Sequence, residues 1–223
     1  MKHTLKVIGF GICLGILLVV MQTALGIDKD VFIHWYWILA ALFVGGCIFF
    51  NVVYNISYQK KLKALIPLLD SGREAEFATG VEALLQTAKG KGLQTLLKIN
   101  LSAGYIETKQ YDRSEQLLEG LGPLKGDFLN LGYSLNLGLS YFYTKQYAKA
   151  EEVYTANQAL FDRYRDHKDY GGNIVVTDIL LSVMRGQYEQ AKQQVSEAKE
   201  VWTLPRFQKV FAEIENILSE NAP

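Results

Sequence analysis

Histidine and cysteine, the residues that most often hold metals or act as nucleophiles, are scarce in this sequence of 223 residues. The three histidines are His3, His34 and His167, and the two cysteines are Cys13 and Cys47. None of them stands at a spacing typical of zinc ligands or of a Cys-His or Ser-His-Asp catalytic set. Two isolated cysteines also give no disulfide framework, which suits a reducing compartment. We therefore expect no metal, no cofactor and no catalytic activity in this chain.

A net charge is lacking as well. Lysine and arginine together number 23, and so do aspartate and glutamate. Because a nucleic-acid-binding domain needs a basic face, this balance predicts no nucleic-acid partner. The nearest candidate for a phosphate-binding loop, residues 88–93 (AKGKGL), lacks the G-x-x-x-x-G-K-[ST] pattern and follows a predicted helix rather than a strand. We interpret it as a connecting loop and expect no small-molecule substrate.

Charged side chains are unevenly distributed along the chain. Residues 1–56 carry five of them, whereas residues 57–223 carry the other 41. The first part contains two apolar runs, residues 7–25 and residues 31–54, which are separated by a short turn (GIDKD). At about 1.5 Å per residue, each run is long enough to cross a hydrocarbon core of about 30 Å. The sequence therefore predicts a two-helix transmembrane hairpin over residues 1–56.

Lysines at the two distal ends of this hairpin indicate its orientation. Lys2 and Lys6 precede the first run, and three more lysines follow the second run, at positions 60, 61 and 63. The intervening turn holds one lysine beside two aspartates. The positive-inside rule then predicts that both termini, and everything after residue 57, lie in the cytoplasm. We expect a multi-pass protein of the cell membrane with the lipid bilayer as one of its partners.

Small residues within the two runs predict how the hairpin packs. Gly11 and Gly15 form a G-x-x-x-G pair in the first run, and Ala41 and Gly45 form a similar pair in the second. Small residues at this spacing allow two membrane helices to approach closely. We expect backbone contact near Gly15 and Gly45. A proline further along, Pro67, predicts a kink or a restarted helix after the second run.

Three other interpretations of the first 56 residues compete with the hairpin. A signal peptide cleaved after Ala24-Leu25-Gly26 satisfies the small-residue rule, but the cut would fall just before a second apolar run. A lipoprotein site at Cys47 lacks a basic lead-in and would leave Ile48-Phe49-Phe50 as the mature N-terminus. The third interpretation, a buried helical pair in a soluble protein, fits poorly with two consecutive runs of this length.

The clearest motif in the rest of the chain lies within residues 136–160 (NLGLSYFYTKQYAKAEEVYTANQAL). It contains Leu137-Gly138 and Tyr141 on one face of a predicted helix, then the turn TKQ, then a second stripe at Tyr147, Ala150 and Tyr154. The motif resembles the tetratricopeptide repeat (TPR), a helix–turn–helix unit of about 34 residues with the pattern W-x2-L-G-x2-Y, A-x3-F, P. The resemblance is to membrane-anchored bacterial proteins of this family.

Further copies of the motif lie on both sides. Leu101, Tyr105, Tyr111 and Leu118 repeat the pattern 36 residues upstream, together with a second TKQ turn. The downstream copy matches in its second half, around Tyr188. A degenerate copy near residues 60–88 leaves the number of repeats at three or four. We place the repeats at about residues 60–88, 95–121, 131–161 and 172–202, and a capping helix at 205–220, because stacked units need a polar closing helix.

One segment departs from the repeat period. Residues 161–172 (FDRYRDHKDYGG) carry mixed charge, and we predict a solvated helix extension that ends at Gly171-Gly172. The expected fold class is all-α: a transmembrane hairpin over residues 1–56 followed by a cytoplasmic TPR-like α-solenoid over residues 57–223, with three to four repeats and a cap.

The TPR resemblance implies a groove, lined by the first helix of each repeat, that binds a peptide or a partner helix. Asn100 and Asn136 stand at equivalent places in two repeats, and the resemblance implies that an asparagine there bonds a partner's backbone. The predicted groove residues are Asn100, Asn136, Leu139, Tyr143, Asn173 and Thr177. The lysines and arginine of the family's carboxylate-binding variant are missing at these places, so that specificity is not expected.

Two functions follow from these expectations. The first is a membrane-tethered adaptor or scaffold that captures a protein or peptide partner in the groove. The second is a small integral-membrane subunit of a larger complex, with the hairpin as its main interaction surface. An enzyme is the least expected alternative, because the carboxylates are scattered over the predicted helices.

Overall fold

The computed structural model describes residues 15–122 and 124–221, and every regular element among them is an α-helix. The expected all-α class is therefore confirmed for this part of the chain. The helices, in chain order, are α1 Gly15–Leu25, α2 Lys29–Asp70, α3 Glu74–Thr87, α4 Lys91–Glu107, α5 Tyr111–Glu119, α6 Asp127–Tyr143, α7 Tyr147–Tyr164, α8 Gly171–Met184, α9 Tyr188–Val201 and α10 Pro205–Asn221.

The chain divides into two compact units, Met1–Ile56 and Ser57–Pro223. Among the described residues, one helix is long and apolar enough to cross a membrane, and this is α2, near the N-terminus. Its apolar part is exposed along its whole length, as at Phe43 and Phe50. The first eight residues of the predicted first span, 7–14, lie outside the described residues, as do Lys2, Lys6, Gly11 and Cys13. Its remainder forms α1.

The turn between α1 and α2 is built as a helix stop followed by a helix start. Gly26 adopts a φ of 63°, and the Asp28 carboxylate accepts hydrogen bonds from the backbone N–H groups of Asp30 (2.9 Å) and Val31 (3.3 Å). These bonds satisfy donors that the first turn of α2 would otherwise leave unpaired. No described atom lies within 4 Å of a Cβ built at Gly15 or Gly45, so the expected close contact at these glycines is not found there.

In the second unit, consecutive helices form antiparallel pairs that are joined by tight turns. The pairs are α2 with α3, α4 with α5, α6 with α7, and α8 with α9. The first helices of successive pairs lie side by side, α4 against α6 and α6 against α8, and α10 packs on α8 and α9. Each later pair also contacts its predecessor through α3 on α4, α5 on α6 and α7 on α8. We call the side on which α4, α6 and α8 are adjacent the first-helix face.

The four turns within these pairs share one geometry. Gly72, Lys109, Lys145 and Gly186 have φ values of 75°, 59°, 61° and 71°. The next residue in each turn donates its N–H to the carbonyl five residues earlier: Arg73 to Leu68 (2.9 Å), Gln110 to Tyr105 (2.7 Å), Gln146 to Tyr141 (2.8 Å) and Gln187 to Ser182 (2.9 Å). This is the helix-ending motif that needs one left-handed residue. Its recurrence at Gly72 extends the regular geometry to the degenerate first copy.

The interfaces between pairs use residues of different sizes at equivalent positions. Five residues after the four left-handed residues stand Phe77, Ser114, Ala150 and Ala191, all buried. Large Phe77 packs where Gly104 offers space, since a Cβ on Gly104 would come within 3.0 Å of the Phe77 ring. At the equivalent contact of the next pair, two small residues meet as Ser114 Oγ and Ser140 Oγ, 2.8 Å apart. Close packing is met in each pair by a different combination of sizes.

The region after α7 differs from its prediction. Helix α7 ends at Tyr164, and a turn leads to Gly171 and Gly172, which begin α8 and are buried. The predicted helix extension ending at these glycines is therefore wrong. The physical reason is crowding: a Cβ on Gly172 would lie 2.3 Å from the Phe207 ring, and one on Gly171 would lie 2.3 Å from the Arg165 carbonyl oxygen. The two glycines allow α8, α10 and the turn to converge.

Two other expectations are revised by the packing. Pro67 lies inside α2, which continues for three further residues, so the helix does not restart there. The small Gly138 of the repeat motif predicts a close approach of the paired helices, but it has no tight neighbour, because a Cβ there would meet Val153 Cγ1 at an ordinary 3.8 Å.

Helix α10 contacts more than the last pair. Its apolar stripe is buried at Phe207, Phe211, Ile214 and Leu218. Three ion pairs also tie it to distant parts of the chain: Arg206 to Asp70 at the end of α2 (3.2 Å), Lys209 to Glu74 at the start of α3 (3.2 Å), and Glu213 to Lys109 in the α4–α5 turn (2.9 Å). The chain thus closes on itself, with α10 meeting the first pair.

Candidate functional site

A cavity of about 370 Å³, which we call the open cavity, lies on the first-helix face. It lies where the end of α2, the middle of α4, the first half of α6 and the start of α8 meet the segment before α10. Its lining residues are Ile66, Leu69, Asp70, Leu96, Ile99, Asn100, Ala103, Phe128, Leu129, Gly132, Leu135, Asn136, Lys168, Asp169, Tyr170, Asn173, Leu204 and Arg206. A volume of several hundred Å³ is typical of binding sites in proteins.

Three of the predicted groove residues, Asn100, Asn136 and Asn173, line this one cavity. They come from α4, α6 and α8 at spacings of 36 and 37 residues, so the stacking of the pairs brings them together. All three of these positions hold the same polar residue type, asparagine. The structure therefore brings these three asparagines together.

The asparagines differ in how their amides are used. Asn136 Nδ2 donates to the Ile99 carbonyl and to Ser102 Oγ, both at 2.9 Å, and so ties α6 to α4. Asn100 Nδ2 donates to the Leu96 carbonyl of its own helix at 2.8 Å. Packing therefore gives a reason for an asparagine at position 136, because its amide bridges two helices.

Asn173 and Arg206 stand at the end of the open cavity that lies toward α10. Among the described residues, no hydrogen bond engages the Asn173 side chain. Arg206 approaches Asp70 through its Nε, 3.2 Å from Oδ1, and its guanidinium stacks on the Phe207 ring at 4.5 Å. The side chain of Arg206 is 17% exposed, so its charge is held in a partly desolvated place.

The rim of the open cavity is apolar and accessible. Ile66, Phe128 and Leu204 are exposed by 42%, 53% and 43%. Large apolar side chains left in water around one opening are typical of a surface that another molecule covers. Behind the rim, Phe128 contacts the rings of Tyr164 (5.2 Å), His167 (5.7 Å) and Tyr170 (6.1 Å). His167 thus belongs to an aromatic cluster at the mouth of the cavity.

Leu139 and Tyr143, also predicted for the groove, lie outside the open cavity. They line a separate void of about 40 Å³ beneath α10, together with Phe207 and Val210. Tyr143 is stacked on Tyr111, with ring centroids 4.3 Å apart and planes 10° from parallel. Burial beneath α10 raises the pKa of Tyr143, and burial also raises the pKa of Tyr111 to about 12. These side chains are packed against the chain's own C-terminal helix.

Thr177 is placed elsewhere again. It lines a void of about 10 Å³ between α6, α7 and α8, and its hydroxyl donates to the Asn173 carbonyl at 2.9 Å. The predicted set is therefore divided among three places. Asn173 is the one member that lines both the open cavity and the void beneath α10.

A polar cluster lies beside the void beneath α10. Its acidic members are Asp70, Glu74, Glu107 and Glu213, and its basic members are Lys109, Arg206 and Lys209. Glu107 is the acid in excess and has no ion-pair partner within 4 Å among the described residues. Burial raises the pKa of its carboxyl, an effect that Arg206 and Lys209 oppose and that Glu74 and Glu213 reinforce.

Sequence reasoning missed Arg206, Phe128 and the other rim residues. Arg206 follows the α9–α10 connection and carries no repeat signal, and its partner Asp70 is 136 residues away. Phe128 had a usable signal, since it is a large aromatic residue in the first turn of a helix that follows a glycine-rich loop. Its exposure depends on the neighbouring turn, which the sequence does not reveal.

Among residues 15–122 and 124–221, no group of three or more His, Cys, Asp or Glu side chains is arranged to hold a metal ion. The open cavity instead offers amides, exposed apolar side chains, the Arg206–Asp70 pair and the charged residues Lys168 and Asp169. Comparison with protein-family models, with curated proteins and with solved structures finds no match to this chain.

Proposed function

We propose that this protein is a membrane-tethered adaptor that captures a protein or peptide partner in the open cavity. The observation that carries this proposal is the convergence of Asn100, Asn136 and Asn173 in one cavity of about 370 Å³. Amides can pair with both the N–H and the C=O groups of a peptide backbone. The exposed rim at Phe128 and Leu204 supplies the apolar anchor sites that partner surfaces use.

The architecture behind this proposal is a TPR-like α-solenoid of four helix pairs with α10 as its cap. Its support is the common turn geometry at Gly72, Lys109, Lys145 and Gly186, together with the side-by-side arrangement of α4, α6 and α8. Helix α10 occupies part of the first-helix face and so limits where a partner can bind. Because α10 covers Leu139 and Tyr143, a partner enters beside α10, over Asn100 and Asn136.

The tether in this proposal is a two-span hairpin with both termini in the cytoplasm. Helix α2 is its second span, and α1 is the end of its first span. The lysines at 60, 61 and 63 support the orientation through the positive-inside rule. In a cysteine-free background, cysteines introduced at Asp28 and Ser219 test it: a membrane-impermeant thiol reagent should label position 28 but not position 219 in intact cells. Labelling at Ser219 would contradict the topology.

A site-specific photo-crosslinker tests partner capture in intact membranes. Placed at Phe128 on the rim, it should form an adduct with a partner. Placed at Tyr147, which is 46% exposed but does not line the cavity, it should not. Changing Ala103 on the cavity wall to Phe should then abolish the adduct at position 128. Equal adduct yields at the two positions, or yields unaffected by Ala103→Phe, would contradict the proposal.

The same method tests the second function, a membrane subunit that interacts through its hairpin. Phe43 is 73% exposed on the apolar part of α2 and offers a crosslinking position there. Protein adducts at Phe43 without adducts at Phe128 would favour the subunit over the adaptor.

A further inference from the structure

We propose that five lysines from two separate segments form one surface that binds anionic phospholipid headgroups, and that the α3–α4 loop is part of it. The lysines are Lys60, Lys61, Lys63, Lys89 and Lys91. We call them the basic surface. This inference rests on the membrane tether proposed above and goes beyond it, because it assigns a ligand to a loop that the adaptor function leaves unused.

One tertiary contact joins the two segments. Tyr58 is buried, and its hydroxyl lies 3.0 Å from the Thr87 hydroxyl at the end of α3. Lys61 lies over the Tyr58 ring, with Nζ 5.3 Å from the centroid. Lys89 follows Thr87 by two residues, so its Cα is within about 8 Å of the Cα of Thr87. The fold therefore brings the loop lysines close to the segment of α2 that carries the helix lysines.

The charge of this surface is unbalanced. The sequence has no Asp or Glu between positions 30 and 70, nor between positions 82 and 107. All five lysines are exposed, and Lys60, Lys61, Lys63 and Lys91 form no ion pair with a described residue. The chain as a whole is neutral, so this concentration of positive charge is local. A local basic surface attracts anions and is weakened by salt.

The loop itself is open to solvent. Lys89, Gly90, Lys91 and Gly92 are exposed, and no described atom lies within 4 Å of a Cβ built at Gly90 or Gly92. Gly90 has a φ of 94°, which lets the loop turn sharply into α4. The two glycines therefore leave the backbone of the loop accessible to a flat, charged surface.

Chain connectivity favours lipid over an acidic protein or a nucleic acid as the ligand. Lys60 and Lys63 follow Ile56, the last residue of the apolar unit, by four and seven residues. Even a fully extended chain keeps Lys63 within about 25 Å of Ile56. A surface held this close to a membrane span meets phospholipid headgroups at a high local concentration. Juxtamembrane lysines are attracted to anionic lipids of the cytoplasmic leaflet.

Lysine acylation on the full-length protein tests the proposal. The protein is reconstituted into phosphatidylcholine vesicles with and without phosphatidylglycerol, labelled lightly with an amine-reactive reagent, and analysed by mass spectrometry. The anionic lipid should slow acylation of Lys89 and Lys91 by about fivefold, and added salt should restore it. Lys145, an exposed lysine in the α6–α7 turn, is the internal control and should not change.

The variant Lys89→Gln/Lys91→Gln tests the joint action of loop and helix. It removes two charges at nearly constant side-chain length, and it should reduce the protection of Lys60 and Lys61 by anionic lipid about twofold. Lys145→Gln is the matched control and should leave that protection unchanged. Equal acylation of Lys89 and Lys91 in the two kinds of vesicle would overturn the proposal, and an acidic protein or nucleic acid would then be the better candidate. Failure to insert into either kind of vesicle would instead overturn the tether.

Discussion

The two ends of the first-helix face differ although the same repeat builds both. At one end α10 covers Leu139 and Tyr143 and leaves a void of about 40 Å³. At the other end Asn100 and Asn136 line an open cavity of about 370 Å³ with exposed apolar residues at its rim. The repeat thus supplies equivalent positions, and α10 decides which of them remain accessible. Access to this face therefore depends on a helix outside the repeat.

Helix α10 is held in place by two kinds of interaction. Its aromatic residues are seated against the glycines at the start of α8, and its charged residues reach the first helix pair through the polar cluster. We therefore expect the largest loss of unfolding free energy from changes at the glycines that contact α10. Changes in the polar cluster should cause a smaller loss, and changes on the open cavity should cause little loss. The four predictions below test this order by unfolding the full-length protein in detergent micelles with urea.

The largest effect is expected from Gly172→Ala. The added Cβ would lie 2.3 Å from the Phe207 ring, and Phe207 is 4% exposed, so the ring has little space to move. Overpacking of this kind costs about 1–3 kcal/mol of unfolding free energy. Gly138→Ala is the matched control, because its Cβ would meet Val153 at 3.8 Å and alanine favours a helix by up to about 1 kcal/mol. A control that is as destabilised as Gly172→Ala would show that α10 is not seated on this glycine.

The next effect is expected from Arg206→Met, which keeps apolar contact with Phe207 but removes the charge that faces Asp70. The pair is partly desolvated, with side-chain exposures of 17% and 36%, so breaking it should cost about 1–2 kcal/mol, less than for a fully buried pair. Lys199→Met removes the α9–α10 ion pair with Glu215, whose members are 37% and 46% exposed. That control should cost less than about 0.5 kcal/mol. Equal costs would mean that Arg206 does not hold α10.

Glu107→Gln is expected to stabilise the protein, whereas the two preceding variants destabilise it. The polar cluster holds four acids and three bases, so a neutral residue at position 107 balances it. We therefore expect this variant to be more stable than the unchanged protein at neutral pH. Burial raises the pKa of Glu107, so its contribution to stability is present below the ordinary glutamate pKa and is lost as pH rises through the raised value. The gain from Glu107→Gln should therefore grow as pH rises through that range.

The control for this pH dependence is Glu152→Gln, which changes an exposed carboxyl on α7. Glu74 affects the pH dependence of stability with the opposite sign, because hydrogen bonding to its own backbone lowers its pKa. Its contribution to stability is present above the ordinary glutamate pKa and is lost as pH falls through the lowered value. A gain from Glu107→Gln that is the same at all pH values would contradict the assignment of Glu107 as the desolvated member of the cluster.

Local features of the fold could be predicted from the sequence, because local residues determine them. The TKQ segments recur 36 residues apart, and the structure places a left-handed lysine in each, Lys109 and Lys145. The start of α10 at Pro205 and its apolar stripe also follow from short-range patterns. The beginning of α8 could not be predicted, because Gly171 and Gly172 are typical of a helix end and their role as helix start depends on contacts with Phe207 and Arg165.

The candidate site could be predicted only in part for a related reason. The register of Asn100, Asn136 and Asn173 is visible in the sequence, and the stacking of the pairs brings these residues together. The covering of Leu139 and Tyr143 is not visible, since it depends on ion pairs such as Lys209–Glu74 that join residues more than 130 positions apart. A single sequence gives no signal for such a pairing.

The smallest change in unfolding free energy is expected at Asn173, which we compare with Asn136 at the equivalent repeat position. Asn136 donates two hydrogen bonds to α4, so Asn136→Ala should cost about 0.5–1.5 kcal/mol. Asn173 has no side-chain hydrogen bond among the described residues, so Asn173→Ala should cost nothing and gain a few tenths of a kcal/mol from helix propensity. If Asn173 serves a partner rather than the fold, its loss should still reduce crosslinking at Phe128 several-fold. A destabilised Asn173→Ala, or one that crosslinks like the unchanged protein, would remove Asn173 from the site.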